Sequence, residues 1–199
     1  MYTLYSLPGS CSTGITILLT KLNLDFKIVK REDVANYKEI VPTNQVPALQ
    51  YGDQIITEGA AIALYLLEKH QSDMLPQDIS QKGEFLKYLM FNYATLHPSY
   101  SKLFATNAMM EESEEKQKLM TKLAASLSRN WEILNKRLED RKFIFSDKPT
   151  IIDYLLAVYS GWNKNFPTVD IKFGKNVENL IARIKELPEF KEAYKKEGI

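Results

Sequence analysis

The sequence predicts an α+β protein: a first third that mixes strands and helices, followed by an all-helical remainder. Three observations carry this. The hydrophobic pattern changes from short alternating runs to sustained helical spacing near residue 80, turn-forming clusters punctuate only the earlier part, and residues 71–79 are polar, contain Pro76 and lack any period. The expected division is therefore 1–76 and 80–199.

Within the first part, residues 2–6 carry β-formers, Pro8-Gly9-Ser10 is turn material, and residues 13–22 place Ile15, Leu18, Leu19 and Leu22 at helical spacing. Residues 26–30 alternate apolar with charged, so the opening reads as a βαβ unit with two parallel strands. After a poorly patterned stretch around 33–40, residues 46–50 and 54–57 flank Tyr51-Gly52-Asp53 as a short hairpin. Residues 58–70 follow as a helix. Beyond the linker, helices are expected over 80–96, 111–138, from Thr150 to about 160, 176–187 and 189–196, the last two separated by Pro188. Thr150 with Asp153 forms a capping-box pattern.

Composition narrows the function. Lys plus Arg, 26, nearly cancels Asp plus Glu, 25, leaving a net charge of +1, so no overall field draws the chain to nucleic acid or anionic lipid. No apolar run approaches the roughly 20 residues that span a bilayer, and the first residues lack a signal-peptide pattern, so a cytoplasmic protein is expected, with no membrane or nucleic-acid partner. One cysteine and two histidines exclude an internal disulfide and make a Cys- or His-based metal site improbable.

Four places could carry chemistry. Cys11 follows the Pro-Gly turn and opens the first helix, where unsatisfied N–H groups and the helix dipole favour a thiolate and a lowered pKa; a small buried apolar residue is the other reading. Pro47 removes a ladder donor where a strand begins, which fits either an edge strand or a cis bond that frees the Val46 backbone for an extended peptide. Glu58 and Gly59 open a helix after a strand: the Gly59 amide suits a carboxylate and Glu58 an ammonium, although Glu58 also suits an ordinary helix start. His97 precedes Pro98 at a helix irregularity, where a surface or core-satisfied histidine is the default.

In order, Ser6-Leu7-Pro8-Gly9-Ser10-Cys11-Ser12, Gln45-Val46-Pro47-Ala48-Leu49, Thr57-Glu58-Gly59, the segment from Leu96-His97-Pro98 to Phe104 and the Thr150–Asp153 box resemble the glutathione transferase family, in its bacterial beta class with an active-site cysteine. The resemblance implies a thioredoxin-like N-terminal βαβ-ββα domain that binds glutathione as co-substrate, with no metal. It also implies an all-α C-terminal domain that shapes a site for a small hydrophobic electrophile, and a homodimer. Cys11 would lie beside the glutathione sulfur with His97 approaching from the helical domain, while Gln45, Val46, a cis Pro47, Glu58 and Gly59 would hold the tripeptide. Ser10, Ser12 and Tyr5 are alternative hydroxyls for activating the thiol, and Lys38 is the candidate for the glycine carboxylate. The implied activity is conjugation of the glutathione thiolate. The alternatives are thiol-disulfide reduction through a Cys11 mixed disulfide, or a non-catalytic binding module.

Overall fold

The computed structural model describes residues 1–199. In chain order it contains β1 (Tyr2–Ser6), α1 (Ser12–Lys21), β2 (Phe26–Lys30), α2 (Tyr37–Ile40), β3 (Ala48–Tyr51), β4 (Gln54–Thr57), α3 (Gly59–Lys69), α4 (Ile79–Met90), α5 (His97–Met109), α6 (Glu114–Arg137), α7 (Ile151–Ser160), α8 (Lys175–Lys185) and α9 (Pro188–Glu197). Two compact units result: Met1–Leu86 with Ile184–Ile199, and Lys87–Arg183.

The first unit is built on a four-stranded sheet of order β2-β1-β3-β4. β1 runs parallel to β2, with Leu4 opposite Ile28, and antiparallel to β3, with Leu4 opposite Leu49. The Tyr51-Gly52-Asp53 hairpin joins β3 to β4 as its turn chemistry predicts. This is the expected βαβ-ββα arrangement, a thioredoxin-like fold. Both faces of the sheet are covered: Leu4 and the consecutive Ala48 and Leu49, which point to opposite faces, are buried from the strands, and Ile15, Leu18 and Leu19 from α1.

α9 belongs to this first unit, whereas the sequence groups it with the helices of 80–199. It lies antiparallel along α1: Lys21 meets Glu189 at 2.9 Å at one end, and Thr13 meets Glu197 at 2.6 Å at the other. A polar helix such as α9, carrying three lysines and three glutamates, gives no sequence sign of where its few apolar positions are buried.

In the second unit, the helix expected to end at residue 96 is interrupted. α4 stops at Met90, Phe91–Leu96 forms a π-helical turn, and α5 continues to Met109, a helix that the apolar periodicity does not reveal. Pro98 explains the sequence ambiguity, because proline breaks a helix interior but is tolerated in a first turn. α6 is capped by the Ser113 hydroxyl accepting from the Lys116 amide, so the helix starts at Glu114, three residues after the acidic run begins at Glu111. α7 is wholly buried, and Trp131, Tyr100, Tyr154 and Tyr159 fill the surrounding core. Its capping box forms: Thr150 N–H donates to Asp153 Oδ2 at 2.8 Å, although the amide reaching the Thr150 hydroxyl is that of Ile152 rather than Asp153. No helix is long and apolar enough to cross a membrane.

Candidate functional site

The turn that delivers Cys11 is closed by Ser10 N–H donating to the Leu7 carbonyl at 3.0 Å, with Gly9 at a φ of +75, a conformation that L side chains rarely adopt. Cys11 then sits at the N-cap of α1 in helical conformation. Its Sγ–H donates to the backbone carbonyl of Val46 at 3.6 Å, so strand entry and helix entry meet at the sulfur.

The expected low thiol pKa is not what this geometry produces. Burial pushes the Cys11 thiol up to about 11, against hydrogen bonds from the Ser12 amide and the Ser10 hydroxyl that favour the thiolate, and the Glu58 carboxylate adds to the rise. The residue as a whole is only partly covered, yet the protein packed around the sulfur removes water from it. Desolvation outweighs the helix terminus. At pH 7 Cys11 is a neutral donor.

The other residues singled out in the first unit frame the same place. The Val46–Pro47 bond is cis, and Pro47 is buried at the start of β3. The Gln45 carbonyl accepts from the Tyr37 hydroxyl at 2.8 Å, which pins the segment before the cis bond. Glu58 is exposed at a φ of 65 and serves as N-cap of α3, and Gly59, buried, heads that helix with an N–H that has no intrahelical partner. A non-glycine residue at positive φ is uncommon and strained, which marks this turn as constrained for a reason other than chain reversal.

The alternative hydroxyls divide. Tyr5 donates to Gln50 Oε1 at 2.9 Å and packs on Tyr37, so it is committed to the sheet. Ser10 and Ser12 stand 2.7 Å apart beside Cys11. Lys38 lines a cavity of about 420 Å³ with Arg31, Tyr37 and Asn44. Arg31 escaped sequence reasoning, although it directly follows β2; its Nε is buried without a hydrogen-bond partner. Burial lifts the Tyr37 hydroxyl to about 12, with Arg31 opposing the rise.

His97 belongs to the second unit. Its ring meets Tyr159 and Trp162 edge-on at 5.6 and 5.4 Å, its Nδ1 lies 3.3 Å from the Ser101 hydroxyl, and burial lowers its pKa, so it is neutral at pH 7. Tyr100 is core: its hydroxyl donates to Asn163 at 2.7 Å and accepts from the Trp131 indole at 3.1 Å. Phe104 is exposed and Trp162 half-buried, and the two rings pack at 6.0 Å. No group of three or more His, Cys, Asp or Glu side chains in the structure could hold a metal ion.

A thioredoxin-like sheet with a thiol at the first helix start, a cis-proline and a free helix N-terminus defines a glutathione-transferase fold. Comparison with known proteins agrees: residues 1–68 match the family model of the glutathione S-transferase N-terminal domain. Glutathione S-transferase GST-4.5 of Xanthomonas campestris is 26% identical, aligned over 80% of this chain and 81% of its own. The solved glutathione S-transferase of Xylella fastidiosa superposes with a TM-score of 0.91 at 22% identity, covering 100% of both chains. A sphingomonad glutathione S-transferase complexed with glutathione superposes at 0.85 with 26% identity, covering 99% of each. The first 68 residues are thus similar to a glutathione S-transferase N-terminal domain, and the whole chain has the fold of the glutathione transferases.

Proposed function

We propose that the chain is a cytoplasmic, homodimeric glutathione transferase that conjugates the glutathione thiolate to small hydrophobic electrophiles. The observation that carries this reading is the Cys11 thiol on the Val46 carbonyl, in the same unit as the Glu58–Gly59 helix start. Along such a frame the γ-glutamyl carboxylate meets the Gly59 amide and its ammonium meets Glu58, with Gln45 alongside; the cysteinyl backbone pairs with Val46 past the cis Pro47. Arg31 and Lys38 supply cations for the glycine carboxylate.

A neutral Cys11 favours one chemistry over the other. Its S–H can leave the Val46 carbonyl and donate to the glutathione sulfur, stabilising the thiolate that attacks; thiol-disulfide exchange instead requires Cys11 itself ionised. With an aryl halide as electrophile, the glutathione thiol loses its proton to solvent, its sulfur forms a bond to the electrophilic carbon, and the halide leaves with the bonding electron pair. His97, also neutral, is the accessory catalytic residue, and the Phe104–Trp162 surface suits an aromatic electrophile.

Steady-state conjugation of glutathione to an aryl halide, wild type against Cys11→Ala, tests the reading. Loss of most of the rate in the variant supports it. A variant that keeps the rate transfers the role to Ser10 or Ser12. No turnover in either protein overturns conjugation and leaves disulfide reduction, lost in Cys11→Ala, or a binding module without activity.

A further inference from the structure

The π-helical turn over Phe91–Leu96 separates α4 from α5, and its closing bond runs from the His97 N–H to the Asn92 carbonyl, five residues back. In an α-helix, at about 100° per residue, residues five apart point about 140° away from each other. The wider turn swings Asn92 and His97 toward one face. That face meets α7 twice: Asn92 Nδ2 donates to the Ile152 carbonyl at 3.0 Å, and the His97 ring meets Tyr159 edge-on at 5.6 Å. Ile152 and Tyr159 stand seven residues apart, two turns along one side of α7. The π turn thus matches two positions on its own strand of chain to two docking points on the neighbouring helix.

Apolar packing alone does not call for an asparagine here. Asn92 is 1% exposed, and its Oδ1 has no hydrogen-bond partner. A buried amide left half unsatisfied is destabilising relative to an apolar side chain, so what Asn92 contributes is choice of arrangement. Its –NH₂ selects the register in which it reaches Ile152, whose carbonyl has a second lone pair for the ladder of α7. Single π turns are rare and concentrate at functional sites. The residue that this one delivers is His97. Trp162 closes over the imidazole at 5.4 Å, and Ser101 sets its proton: the Ser101 hydroxyl donates to the His97 carbonyl at 3.1 Å, so its oxygen takes the Nδ1–H at 3.3 Å and Nε2 is left as an acceptor.

We infer that Asn92 is a positioning residue for His97: by hanging the π turn on the Ile152 carbonyl, it seats the imidazole against Tyr159 and Trp162 with Nε2 as the ring nitrogen open to a ligand. The importance of this for catalysis rests on His97 being the accessory residue of the proposed function. The placement itself does not.

The test is an NMR titration of the His97 imidazole in wild type, Asn92→Leu and Asn92→Ala, with Ala94→Ser as a control at an exposed position of the same turn. His97→Gln assigns the signal. Neither glutathione nor electrophile is present, so the result stands even if transferase activity is absent. In the wild type, burial alone holds the midpoint below the ordinary 6.5, and the Tyr159 and Trp162 rings displace the imidazole resonances. In both Asn92 variants the midpoint rises to about 6.5 and the ring displacement is lost. The Trp131 indole N–H, held on Tyr100 at 3.1 Å in the same unit, keeps its resonance. Leu copies the branching of Asn without its donor, and Ala keeps the question answerable if Leu does not fit. In the conjugation assay both variants lower kcat with KM for glutathione kept, and Asn92→Ala adds no further loss in a His97→Gln background. Absence of conjugation in the wild type strikes the proposed function and leaves the titration to decide the placement. A folded Asn92→Leu or Asn92→Ala protein with the wild-type His97 titration overturns the inference, as does an equal change in Ala94→Ser or a Trp131 signal that moves as far as that of His97.

Discussion

The Cys11 thiol donates to the Val46 carbonyl across 3.6 Å, placing the one cysteine of the chain against the one cis peptide bond. Because burial dominates over the helix terminus, the thiol titrates near 11 rather than below its ordinary value of 9.0. Alkylation of the wild-type protein is therefore expected to accelerate through pH 9, to reach its midpoint only near pH 11 and to level off above that. A plateau reached below pH 8 would restore the helix-dipole reading and make Cys11 a nucleophile at rest.

Glu58 offers a cleaner separation of backbone from side chain than most site residues. At a φ of 65 it is strained, and glycine adopts that conformation freely. Glu58→Gly is expected to leave stability unchanged or raise it by about 1 kcal/mol, measured by urea denaturation. The same variant loses the carboxylate proposed for the glutathione ammonium, so KM for glutathione rises roughly tenfold or more. A large fall in stability with KM unchanged would make Glu58 a helix-start residue only.

Much of this was legible from residues alone, for reasons that also explain the remainder. The βαβ-ββα order follows from period and turn chemistry, because Gly9 and Tyr51-Gly52-Asp53 act locally. The Cys11 pKa was not legible: it depends on what covers the sulfur, and Val46 is 35 residues away. Arg31 was missed because an arginine after a strand carries no pattern, and its meaning comes from the cavity it shares with Lys38 and Tyr37. α5 was hidden by Pro98, and the place of α9 by a contact that spans 184 residues from Thr13 to Glu197.

Arg31 and Lys38 can be ranked. Arg31 Nε is buried with no hydrogen-bond partner, whereas Lys38 is exposed and solvated. A desolvated guanidinium gains more from a carboxylate than a hydrated ammonium does. Arg31→Ala is expected to raise KM for glutathione about tenfold with kcat little changed, and Lys38→Ala about twofold. The reverse order would move the glycine carboxylate to the outer rim of the cavity.

Asp153 gives a prediction whose sign is set by its burial. Its carboxylate accepts from Thr150 N–H at 2.8 Å and Ile144 N–H at 2.9 Å, and it is fully buried. Desolvation wins over these donors and lifts its pKa from 3.8 to about 6. A carboxyl whose folded pKa lies above its unfolded one favours folding most when protonated, so its contribution is complete below pH 4, declines between pH 4 and 6, and is smallest above 6. The difference amounts to roughly 3 kcal/mol. Asp153→Asn has no such titration, and its –NH₂ must face one of the two backbone donors, which costs about 1–3 kcal/mol at any pH. The gap in stability between wild type and Asp153→Asn is therefore wider at pH 4 than at pH 7. Urea denaturation of both proteins at the two pH values checks this, and a wider gap at pH 7 would mean that the amide donors, not burial, govern the carboxyl.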